Sequence, residues 1–160
     1  MRLLSLSLAM GLIMIWPVQA DPVLKIINFT AKDCARCLSL NPHLDAAIAR
    51  FPIGSIIRID LDMTRARRAA TPQQISTIHS EARKTAETHK AAHLWHRYGP
   101  ITGLAVVIAS DTGETINCLL HPMDTKEMIN RLKLAKIMAE RGTHGHRRLH
   151  KQPCPAPRAN

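Results

Sequence analysis

An α/β domain with the element order βαβαββα is predicted for this chain on three observations. Short β-branched or continuously apolar runs recur around Ile26, Ile57 and Val106. Longer stretches between them carry apolar residues at helical spacing. Two cysteines three positions apart, Cys34 and Cys37, fall where the first such run gives way to the first helical stretch.

The first strand is read from Val23-Leu24-Lys25-Ile26-Ile27-Asn28-Phe29. From Cys34 to about Arg50, Leu38, Leu40, Leu44, Ala47 and Ile48 supply an apolar helix face, and Pro42 inside it predicts a kink, because proline has no N–H and clashes with the preceding turn. Phe51-Pro52-Ile53-Gly54 stops the helix, and Ile56 to Leu61 is a second strand. Thr71-Pro72 pairs a capping hydroxyl with a proline at the first helical position. The stripe Ile75, Ile78, Ala82, Ala86 is out of phase with Ala91, Leu94, Trp95, Tyr98, so the long helical segment before the third strand should bend or break near Glu87. Leu104 to Ile108 reads as a central strand covered on both faces. A turn at Ser110–Gly113 leads to an antiparallel partner from Glu114 to Leu120, and a last helix follows from about Asp124 to Glu140.

The ends read differently from the middle. Arg2, the apolar stretch Leu3 to Trp16 and the small-x-small Val18-Gln19-Ala20 have the form of a secretory signal peptide over residues 1–20, with an uncleaved membrane anchor as the alternative. Export across an inner membrane into the periplasm is the expected location. One domain is expected over 21–142. Residues 143–160 hold Arg147, Arg148, Lys151 and Arg158 but little to bury, and are expected to form a disordered basic tail. The net charge of +10 belongs partly to that tail and partly to clusters such as Arg65, Arg67 and Arg68. Such charge suits an acidic protein partner or an anionic membrane surface. With two Trp, one Tyr and two Phe, the chain is poor in base-stacking side chains, and no nucleic-acid partner is expected.

The cysteines carry the chemistry. A cysteine at a helix N-terminus faces unpaired N–H groups and the positive end of the helix dipole, which favour its thiolate. Cys37, one turn further in, is near enough to close a disulfide with Cys34. Lys32 and Arg36 add to the thiolate's stabilisation, whereas Asp33 opposes it. Cys118 lies in a strand-like run and Cys154 between two prolines; Cys118 is either a small core residue or bridged to Cys154. His89, His93 and His96 recur at helical spacing but fit a solvated face, no phosphate-binding glycine loop occurs, and neither a cofactor nor a bound metal is expected.

Phe29-Thr30-Ala31-Lys32-Asp33-Cys34-Ala35-Arg36-Cys37, with Pro42 five residues later, resembles the thioredoxin-like family, above all its exported thiol–disulfide oxidoreductases, in which an asparagine such as Asn28 is usual. The resemblance covers about Val23 to Arg141 and implies a three-layer sandwich. It further implies that Cys34 is the attacking and Cys37 the resolving thiol, acting on protein thiols and disulfides with a separate redox partner. Three departures stand out. Asp33 replaces the usual aromatic residue, Asn28 stands where many thioredoxins have a buried aspartate, and Thr102-Gly103 occupies the place of the substrate-facing cis-proline, Pro100 being too early. Two other readings follow from these departures: a non-catalytic binding module for an acidic partner or membrane, and a metal-handling protein using Cys34 and Cys37.

Overall fold

The computed structural model describes residues 22–147 and 154–156; the expected signal peptide at 1–20 lies outside the described residues. Nine elements follow in order: β1 (Leu24–Thr30), α1 (Ala35–Ile48), β2 (Ile56–Asp62), α2 (Thr64–Arg68), α3 (Pro72–Thr88), α4 (Ala92–Tyr98), β3 (Leu104–Ala109), β4 (Thr115–Leu120) and α5 (Thr125–Arg141). They form one sheet in the order β2-β1-β3-β4. β1 runs parallel to β2, with Leu24 opposite Ile56 and Thr30 opposite Asp62, and antiparallel to β3, with Phe29 opposite Leu104. β4 completes the sheet antiparallel to β3.

Strand alternation divides the core into two layers. Leu24 and Ile26 join Leu40, Leu44 and Ala47 of α1 and Met128, Leu132 and Ala135 of α5 on one face. Ile27 and Phe29 point the other way, against Ala82 and Ala86 of α3 and Leu94 and Tyr98 of α4. The sandwich therefore has its expected three layers, and β1 lies inside it with both faces covered. Phe29 and Tyr98 meet edge to face at 6.2 Å between ring centres, a geometry that adds about 1 kcal/mol to their burial.

The expected break in the long helical segment is present. α3 begins as Thr71-Pro72 predicts, in a reciprocal capping box with Gln74. It stops at Thr88, and Lys90 turns the chain with a left-handed φ of 62° before α4. This hinge is locked to the β3–β4 turn: Lys90 Nζ donates to the Asp111 carbonyl at 2.5 Å, and a Cβ on Gly113 would come within 2.2 Å of the Lys90 carbonyl oxygen. α1 runs through Pro42, and α5 is capped by Asp124 Oδ1, which accepts from Glu127 N–H at 2.7 Å. α2 is an element the sequence does not announce.

Beyond 142, where a disordered basic tail is expected, two described residues are held against the domain. Arg147 is 5% exposed and donates to Asp111 at 2.6 Å and to the Gly142 carbonyl at 3.2 Å. Cys154 is buried and bridged to Cys118 of β4, Cα to Cα 5.1 Å. Of the two readings of Cys118, the bridge is the one found; in the chain-entropy picture, a loop with a sequence separation of 36 contributes roughly 4 kcal/mol.

Candidate redox site

β1 delivers the site. Its last residues run into a tight turn in which Cys34 N–H donates to the Ala31 carbonyl at 3.3 Å, and Cys34 becomes the N-cap of α1. Cys34 Sγ accepts the Cys37 backbone N–H at 3.1 Å, so the sulfur takes the capping place that a serine or aspartate oxygen usually fills. Cys34 and Cys37 are joined in a disulfide with Cα atoms 5.2 Å apart. Cys34 is 6% exposed and Cys37 1%, so the N-cap sulfur is the more accessible of the pair. A thiolate at Cys34 would keep the Cys37 N–H donor and gain the helix dipole.

The residues flanking the pair are placed by α2. Lys32 N–H donates to Thr64 Oγ1 at 2.8 Å, and Met63 N–H donates to the Thr30 carbonyl at 2.8 Å. Thr64 is fixed in turn by Asp62, which accepts from both its backbone and its hydroxyl. Asp33 does not stand alone beside Cys34. Arg67 Nε lies 3.3 Å from its carboxylate, and Arg67 Nη1 donates to Thr102 Oγ1 at 3.4 Å. One guanidinium thus links the turn before Cys34 to the loop before β3, and it offsets the charge that works against thiolate formation. Lys32 and Arg36 remain exposed.

Gly103 packs closely on Arg36, which lies between the two cysteines in the chain. Its φ is 84°, its N–H donates to the Phe29 carbonyl at 2.8 Å, and a Cβ there would meet Arg36 Cβ at 2.7 Å. Glycine is required twice over, by backbone conformation and by space. The Gly99–Pro100 peptide bond is cis, but it lies at the end of α4, before the loop that carries Thr102 and Gly103.

Asn28 is fully buried and belongs to the α1 side of the sheet. Its Nδ2 donates to Asp60 at 2.7 Å and to Asn41 at 3.1 Å, and Asn41 Nδ2 passes the chain on to Thr30 Oγ1 at 3.1 Å. Arg58 clamps Asp60 and Asp45 from outside at 2.7 and 2.5 Å. No hydrogen bond runs from Asn28 to either cysteine among the described residues, so the amide braces the strand that carries the site.

The structure brings together Cys34, Cys37, Lys32, Asp33, Arg36, Thr102 and Gly103, all singled out in the sequence. It adds Arg67 and Thr64, and a groove of about 440 Å³ lined by Arg36, the Ile101–Leu104 loop, Leu120, His121, Pro155 and Ala156. The charge cluster at 65–68 was the only sequence signal for Arg67. The three histidines at helical spacing stay apart from this site: His89 caps α3, while His93 and His96 sit exposed on α4. Among the described residues, no group of three or more His, Cys, Asp or Glu is placed to hold a metal ion, and no helix is long and apolar enough to cross a membrane.

No family model and no curated protein matches the chain. Among solved structures, the crystal structure of StoA from Bacillus subtilis is similar to it, with 13% sequence identity and a TM-score of 0.42 over 71% of this chain and 84% of that one. A sheet ordered β2-β1-β3-β4 with helices on both faces, and a bridged Cys-x-x-Cys where β1 meets α1, give this domain a thioredoxin-like fold.

Proposed function

We propose that the protein is an exported thiol–disulfide oxidoreductase that acts on protein cysteines through Cys34 and Cys37. The observation that carries this reading is the position of Cys34 as N-cap of α1, with its sulfur on the Cys37 N–H and its bridge partner one turn inside. In the reducing direction, the Cys34 thiolate attacks one sulfur of a substrate disulfide, the substrate S–S bond breaks, and the departing thiolate takes up a proton. Cys37, deprotonated, then attacks Cys34 Sγ in the mixed disulfide, and the second substrate sulfur leaves as a thiolate. Two electrons have passed to the substrate and the Cys34–Cys37 bridge is restored; the opposite direction is the same path reversed.

Export is supported by the signal-like residues 1–20 and by cysteine usage. All four cysteines are bridged, as suits an oxidising compartment. The decisive experiment is reduction and oxidation of a model protein disulfide by wild type and Cys34→Ser. Loss of both activities in the variant is expected, and an unchanged rate would sink the assignment. The Cys34–Cys37 reduction potential then sets the direction, since the fold spans roughly −270 to −120 mV between its reductants and oxidants.

One observation favours a second reading, docking to an acidic partner. A hollow of about 770 Å³ between α2 and the start of α3 is lined by Lys32, Arg65 and Arg68 over a floor that includes Ile78. Binding of an acidic polypeptide that survives Cys34→Ser but is lost in Lys32→Glu with Arg68→Glu would establish it.

A further inference from the structure

The Cys118–Cys154 bridge does more than close a loop, because of where it leaves the next two residues. Pro155 is held by Tyr98, whose hydroxyl donates to the Pro155 carbonyl at 3.2 Å, and Tyr98 is itself buried in the core. Pro155 and Ala156 then form part of the wall of the groove whose other sides are Arg36, the Ile101–Leu104 loop, Leu120 and His121. Arg36 stands between the two cysteines in the chain, so the groove shares a wall residue with the turn that carries the disulfide. Ile101 and Leu120 are half-buried against the core and present their remaining surface there. His121 Nδ1 is engaged by Ser39 Oγ at 2.9 Å, and Arg36 has no carboxylate partner among the described residues.

We propose that Cys154-Pro155-Ala156 is a built wall of the substrate site, and that the groove receives an extended segment of the substrate protein next to its reacting cysteine. The segment that fits carries apolar side chains for Ile101, Leu104, Leu120 and Pro155 and one acidic side chain for Arg36. This inference rests on the oxidoreductase reading and deepens it. A wall fixed by a disulfide and by a buried tyrosine is already ordered before substrate arrives, so binding does not have to order it. The second disulfide is thereby a specificity device: it takes no electrons in turnover but holds in place the surface that selects what reaches Cys34.

The test compares two substrates. One is a disulfide-linked peptide with leucine, valine and a single glutamate flanking the cysteine; the other is hydroxyethyl disulfide, too small to use the groove. The full chain, the Cys118→Ala/Cys154→Ala double variant and Ala156→Trp are assayed with each. The double variant is expected to raise KM for the peptide about tenfold, and Ala156→Trp, which leaves the bridge intact and fills the groove, at least as much. In both variants kcat/KM for the peptide, taken as a ratio to that for hydroxyethyl disulfide, should fall about tenfold. An unchanged or lowered peptide KM in both variants overturns the proposal, the lowered value marking the segment as an obstruction. Should the double variant fail to fold, Ala156→Trp decides alone. Inactivity of the wild type on both substrates would count against the oxidoreductase reading itself, a result distinct from any loss of peptide selectivity.

Discussion

Arg67 and Asp33 form the ion pair that links the short α2 helix to the turn carrying Cys34, with Nε and Oδ2 3.3 Å apart. Both side chains are partly exposed, 45% and 37%, so solvent screens the pair and its net effect on stability is small, under about 1 kcal/mol. Its effect on reactivity is the larger matter. In Arg67→Ala, Asp33 confronts the Cys34 sulfur without a counterion, and alkylation of the reduced protein by iodoacetamide near neutral pH should slow roughly two- to fivefold. Asp33→Ala should accelerate it by a similar factor. Equal rates in all three proteins would show that Asp33 does not act on the thiolate.

Gly103→Ala should destabilise the domain by roughly 2 kcal/mol, from a positive φ and from a Cβ placed 2.7 Å from Arg36 Cβ. The two causes separate in a double-mutant cycle. Arg36→Gly removes the atom that clashes but leaves the φ penalty, so about half the loss should return in the pair. Urea midpoints of the four proteins measure it. Strict additivity would mean that the loop moves away without strain.

Asn28→Asp should be among the most damaging conservative changes in the chain. The site is fully buried, and Asn28 Nδ2 donates at 2.7 Å to the Asp60 carboxylate, which would then meet a second carboxylate. Losing the donor and burying a like charge should cost about 3–5 kcal/mol at neutral pH. The deficit should shrink as acid protonates the pair, and equilibrium unfolding from pH 7 to pH 4 reads it. A variant as stable as wild type at pH 7 would show that the pocket already accommodates a carboxylate.

Acid should weaken the wild-type fold in two stages. His89 and His93, each only partly covered by the protein, titrate below their usual 6.5, chiefly because that partial cover disfavours the charged ring, with Lys25 and Arg97 adding repulsion. The unfolded chain therefore binds these protons first, and stability falls as pH drops below about 6.5. Asp111 is held below the ordinary 3.8 by its hydrogen bond to Arg147. The stability it contributes is present above about 3.8 and is lost as pH falls through the lower folded value. His93→Gln should flatten the first stage and Asp111→Asn the second in a pH series of melting temperatures.

Local pattern was enough for most of the architecture, because four strands and three of the helices carry their own apolar period and their own caps. Thr71, Pro72 and Asp124 start helices where their chemistry says they should. α2 escaped because Thr64-Arg65-Ala66-Arg67-Arg68 offers Ala66 alone as an apolar residue and reads as charge. The same division holds at the site. Cys34 and Cys37 are neighbours in sequence and declare themselves. Arg67 reaches Thr102 across 35 positions and Tyr98 reaches Pro155 across 57, pairings that spacing does not encode. Two described residues of the tail show the same thing: composition lacks apolar surface there, yet Cys154 is held by its disulfide and Arg147 by its buried ion pair, contacts that hydrophobicity does not announce.

The bond between Cys118 and Cys154 also alters how the domain can come apart. Everything between those residues, including all of α5, belongs to a covalent ring. α5 can leave the sheet only as a slack arc fastened at both ends. A protease cut inside the ring, between α5 and Arg147 for instance, would yield two pieces that travel together until a reductant separates them.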